Sequence, residues 1–172
     1  NTDDFRALIG DAAAGGTGNE ITWFPVGPTL AVDGAGNAYI RGHTPSSDFP
    51  TVNAADPTLS GATDGFVVKL DPSGTPVYST YLGGGILAEG EVIDAEDVAF
   101  SIVADAAGNA YVTGRTRSVD FPVVDGIQTA YQGSTDAFVV KFDPSGGDRL
   151  FEFGNDVFDL LDHVAHVVPC VK

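Results

Sequence analysis

The chain has 172 residues, 43% of them apolar, and carries 24 Asp+Glu against 8 Lys+Arg, a net charge of −16. That apolar share excludes a disordered chain, and so few cations exclude the basic stripe that nucleic acid or an anionic membrane surface requires. With 22 Gly and 10 Pro the composition is that of an all-β protein with many tight turns, and no apolar run is long enough for a membrane-spanning helix.

Methionine is absent, so the chain is expected to be a processed mature protein or a piece of a longer one. In chain order, the first readable element is "FRALIG" at 5–10, followed by "NEITWFPVGP", which holds the only tryptophan, Trp23. Trp-Phe-Pro reads as packing, with sugar stacking as the alternative. "LAVD" at 30–33 and "NAYIRG" at 37–42 then read as two strands joined by an Asp-Gly-Ala-Gly turn. A link carrying "SSDFP" follows. "FVVKL" at 66–70 puts Phe66, Val68 and Leu70 on one side and Val67 and Lys69 on the other, and Asp71-Pro72-Ser73-Gly74 turns it into "VYSTYL" at 77–82. Pairing of Lys69 with a neighbouring carboxylate is the simple expectation for a mid-strand lysine in an acidic protein.

"EGEVIDAEDVAF" at 89–100 gathers Glu89, Glu91, Asp94, Glu96 and Asp97. Ca²⁺ takes several oxygen ligands, so Asp94, Glu96 and Asp97 are candidate ligands. The spacing is not that of an EF-hand loop, and a solvated acidic loop is the plainer reading.

From here the sequence repeats itself. Residues 31–74 laid over 103–146 without a gap agree at 24 of 44 positions, which only a duplicated structural unit explains. "IVAD" at 102–105, "NAYVTG" at 109–114, "FVVKF" at 138–142 with Phe138, Val140 and Phe142 on one side, and "LFEFG" at 150–154 repeat the strands. Lys141 repeats Lys69. Asp48/Asp120 and Asp64/Asp136 recur in both copies, which points first to turn or cap roles.

Four strands in two hairpins, with a longer link between them, are the anatomy of a propeller blade. "DAFVVKFDPSG", "YSTYLGG", "DAAGNAYVTG" and "SVDFP" resemble the SBBP repeat, the bacterial β-propeller repeat. The resemblance covers 30–146 closely. It implies a secreted or cell-surface propeller and carries over no common catalytic site.

The expected architecture is therefore all-β with β-propeller-type repeats: about two four-stranded blades plus partial blades at both ends. Residues 1–29 would end a preceding blade, 30–100 and 101–154 would be the two units, and 155–172 an atypical C-terminal segment. That last segment, "NDVFDLLDHVAHVVPC", fits helix and strand equally. On a helix His163, His166 and Cys170 share one face and are candidate metal ligands; incidental polar residues are the plainer reading. Cys170 is the single cysteine, so no internal disulfide is possible.

The repeats hold one histidine, His43, replaced by Arg115 in the second copy. There is no G-x-S-x-G, no H-E-x-x-H and no phosphate-binding Gly-rich loop opening a helix. An enzyme is not expected, and no cofactor is required, Ca²⁺ being the one candidate. Two blades cannot close a ring, since propellers close with four to eight. The expectation is an extracellular or cell-surface structural and interaction module that works by self-assembly, or within a larger propeller or a filament. Burial of Phe66, Val68, Leu70, Phe138, Val140 and Phe142 between neighbouring sheets would drive it. Expected partners are other protein chains or copies of itself, with glycan second and no membrane insertion. The alternative is a carbohydrate-binding, lectin-like propeller assembled from several chains.

Overall fold

A computed structural model describes residues 29–87, 89, 95–123, 130–131 and 135–153. Within them the protein is all-β, without a helix. Eight strands follow in order: β1 (Leu30–Val32), β2 (Ala38–Thr44), β3 (Asp64–Leu70), β4 (Pro76–Leu82), β5 (Val98–Ala104), β6 (Ala110–Thr116), β7 (Asp136–Phe142) and β8 (Asp148–Phe153). They form two four-stranded antiparallel sheets, β1-β2-β3-β4 and β5-β6-β7-β8, each an up-and-down meander. β5 runs across the 100/101 boundary. The expected partial element at 5–10, Trp23, and the helix-or-strand segment from 155 onward lie outside the described residues.

The hairpin turns follow from their aspartates. Asp71 Oδ1 accepts from the Ser73 and Thr75 amides at 2.8 and 2.9 Å, while the Gly74 amide closes the turn on Asp71 O. Asp143 does the same through Ser145 and Gly147. Gly74 and Gly146 reach φ of 84° and 97°, a left-handed conformation that residues with a Cβ rarely adopt. In the first hairpin Asp33 holds the Ala35 and Asn37 amides and the Asn37 side chain, and Asp105 repeats this with Ala107 and Asn109. Within each sheet a glycine faces a phenylalanine across the strand pair, Gly42 to Phe66 and Gly114 to Phe138. A methyl on Gly42 would sit 2.5 Å from the Phe66 ring, so the missing side chain is what lets the ring lie flat on the sheet.

The core has two parts. Phe138, Val140 and Phe142 pack with Ala99, Ile102, Ala110, Val112 and Phe121 of the second sheet against Tyr39, Val67, Tyr78 and Leu82 of the first. Phe66, Val68 and Leu70 do not lie between the sheets. They turn to the other side of the first sheet and cluster with Ile40, Tyr81 and Phe49, the phenylalanine of the SSDFP link. The cause is how the sheets stack. The copies stand in the same orientation, so the face carrying Phe66 in one is the face carrying Phe138 in the next, and only one of the two meets the junction. The opposite face of β3, with Val67 and Lys69, meets the second sheet instead.

Candidate interaction surface

Beside its apolar packing, the junction's polar contacts run from side chains of β2 and β3 on one side to turn and edge backbone of the second sheet on the other. Tyr39 and Lys69 are cross-strand neighbours. The Tyr39 hydroxyl lies 2.9 Å from both Gly108 O and Asp33 Oδ2. Lys69 Nζ donates to Pro144 O at 2.9 Å, stands 3.5 Å from Gly108 O, and sits 5.1 Å from the Tyr39 ring centroid. The simple expectation of a carboxylate partner is therefore corrected. The nearby turn carboxylates are already taken by their own turn amides, and turn carbonyls of the next copy receive the ammonium.

Arg41, on the same face of β2 as Tyr39, is buried and donates through Nη1 to Ala99 O at 2.8 Å and through Nη2 to Phe100 O. These carbonyls belong to β5 where its register against β6 shifts between Ala99 and Ser101. A bulge leaves edge carbonyls outside the ladder, and the planar guanidinium reaches two of them at once. His43, next on this face, is held below its usual range by burial and by Arg41.

The chain crosses from the first sheet to the second through Gly83, Gly84 and Gly85, among carboxylates. A methyl on Gly83 would lie 2.5 Å from Asp64 Cγ and 2.9 Å from Asp97 Oδ2. Asp64 accepts from the Ser60 and Gly61 amides at 2.8 and 3.2 Å, Asp97 from the Gly84 amide at 2.7 Å and Ser118 Oγ at 2.8 Å, and Asp120 from the Gly85 and Ile86 amides. The Asp64 contacts are the local turn-and-cap role expected of a recurring aspartate, whereas Asp97 and Asp120 hold the crossover backbone from elsewhere in the chain. Of the candidate cation ligands, Asp97 is thus bound to the crossover, while Glu96 meets Arg115 and Arg117, each at 3.2 Å. Asp94, His163, His166 and Cys170 lie outside the described residues. Among the described residues no three His, Cys, Asp or Glu side chains converge on a point.

The carboxylates give a pH dependence with two opposed windows. Burial raises Asp64 to about 6, with Asp97 adding to it against the pull of the Ser60 and Gly61 amides. The folded state then holds a proton that the unfolded chain releases near 3.8, so stability falls as pH rises from 4 through 6. Asp97 is raised too, by burial. Asp33 is lowered to about 2, chiefly by the Asn37 side chain, and its contribution is lost as pH drops from 3.8 through 2. The expected result is a stability maximum close to about pH 4, not at neutrality. Urea midpoints measured from pH 2.5 to 8 check it; a midpoint that climbs steadily to pH 7 contradicts the Asp64 environment.

Two like-oriented four-stranded meanders, stacked face to face through side-chain-to-turn contacts, define a protein built from β-propeller-type repeats. Residues 77–122 match the family model of the SBBP beta-propeller repeat; the match runs from β4 through the crossover and β5–β6 to Phe121-Pro122. No curated protein matches the chain. Among the described residues no helix is long and apolar enough to cross a membrane.

Sequence reasoning had placed the strands and turns but missed Arg41, and had not joined Tyr39 to Lys69. The second pair carried a usable signal: both residues recur in the other copy, as Tyr111 and Lys141. Arg41 carried none, since the bulge it serves has no sequence mark.

Proposed function

We propose that the protein is a secreted or cell-surface structural module whose blades assemble with other copies or chains, in a larger propeller or a filament. One observation carries the reading. The sheets stack by repetition in one direction, so the pair leaves an unlike face at each end, and both ends expose large apolar side chains: Leu30 and Val32 at one, Val103 at the other. Two blades cannot close on themselves. The resemblance of the repeat supports the extracellular setting. The alternative is a lectin-like ring of several chains with glycan sites between blades; Trp23, the aromatic that suits sugar stacking, lies outside the described residues.

Light scattering behind a sizing column tests the reading. The expected mass is a multiple of the 17.7 kDa chain. A single-chain mass at every concentration overturns the assembly reading.

A further inference from the structure

We infer that the outer face of the second blade is the docking surface for the first blade of another copy, in the same register in which the first blade holds the second. The inference rests on the assembly reading above and gives it a polarity.

The argument is an equivalence of positions 72 residues apart. Where the first blade presents Ala31, Tyr39 and Lys69 to its neighbour, the second presents Val103, Tyr111 and Lys141 on the corresponding face. Lys69 is 4% exposed under the second blade; Lys141 is half-buried, 5.4 Å from the Tyr111 ring centroid and without a hydrogen-bond partner among the described residues. Val103 is 45% exposed on that face.

The other end is complementary. Ile102 and its surroundings pack into the junction with 1% exposure, whereas Leu30, at the equivalent position of the first blade, is 53% exposed. A methyl on Gly146 would run into Tyr78 at 2.7 Å; one on Gly74, in the equivalent turn, meets nothing within 4 Å among the described residues. Gly36 and Pro72 correspond to Gly108 and Pro144, the residues whose carbonyls receive Tyr39 and Lys69. Docked in register, Lys141 Nζ reaches Pro72 O of the second copy and the Tyr111 hydroxyl reaches its Gly36 O.

One element is not repeated. Thr113 stands where the first blade has Arg41. The contact between copies therefore lacks the two-pronged clamp and is expected to be weaker than the internal junction, so that assembly depends on concentration.

The test uses the intact chain and sedimentation velocity over a concentration series. Wild type is expected to rise above 17.7 kDa with concentration. Leu30→Asp disables one end and Val103→Asp the other, both at exposed positions. Each variant alone is expected to stay at one chain. Their equimolar mixture is expected to reach twice that mass and no more, because a single intact pair of ends remains. Circular dichroism verifies the fold; Val32→Asp replaces the first variant and Lys141→Ala the second where folding fails. If wild type assembles and either variant alone still assembles, or the mixture does not, the head-to-tail docking is overturned while the assembly reading stands. A wild type that stays at one chain throughout overturns both.

Discussion

Phe138→Ala is expected to cost about 3–5 kcal/mol, a large part of the roughly 5–15 kcal/mol that holds a domain of this size together. The ring is 1% exposed and stacks on Phe121 with centroids 4.7 Å apart. It covers Gly114, which has no side chain to fill the space the ring leaves. It also belongs to the cluster that joins the two sheets, with Val67 and Tyr78 across the junction. A cavity there therefore weakens the second sheet and the stacking together, and the surrounding strands, tied by their ladders, cannot collapse into it. Phe138→Asp adds a buried charge without a partner and is expected to abolish folding. Urea unfolding followed by far-UV circular dichroism measures both. A soluble Phe138→Asp variant with the wild-type midpoint would remove Phe138 from the core.

Arg41→Met is expected to destabilise by about 2–5 kcal/mol. The aliphatic stem is replaced almost in kind, so the loss comes from the carbonyls of Ala99 and Phe100, left buried at the bulge without their donors. Arg41→Lys is expected to recover only part of it, because a single ammonium does not match two carbonyls in one plane. The same Met substitution at Arg115, half-buried and paired with a half-exposed Glu96, is expected to cost less than about 1 kcal/mol. Equal losses at the two arginines in parallel urea titrations would show that the clamp at β5 contributes nothing of its own.

The strands were legible because the chain states each of them twice, and because Asp-Pro-Ser-Gly and Asp-x-x-Gly turns bound them at fixed offsets. The face that meets the neighbouring sheet was not legible. In Phe66-Val67-Val68 the period-2 pattern is apolar on both sides, so it shows that both faces of β3 are covered and is silent on what covers each. A choice by size selects Phe66; the stacking direction selects Val67. The lysine partners were misread for a different reason. Net charge directs attention to carboxylates, but at this junction the negative ends on offer are peptide carbonyls, which leave no trace in a sequence. The crossover glycines carry no role that the sequence alone reveals; that they thread between Asp64, Asp97 and Asp120 needed the geometry.

The Lys69 and Tyr39 contacts have one more consequence. Across the junction their acceptors are main-chain oxygens, held in place by turn shape and not by the identity of a side chain. A blade copied by gene duplication thus arrives already compatible with the blade before it, with no second, matching mutation required. What selection must keep for this contact is the turn, through its aspartate and glycine, and the two donors that read it, beside the buried core of each blade. Growth in the number of blades is then a change that a single genetic event can make, and the 72-residue echo in this chain is what such an event leaves behind.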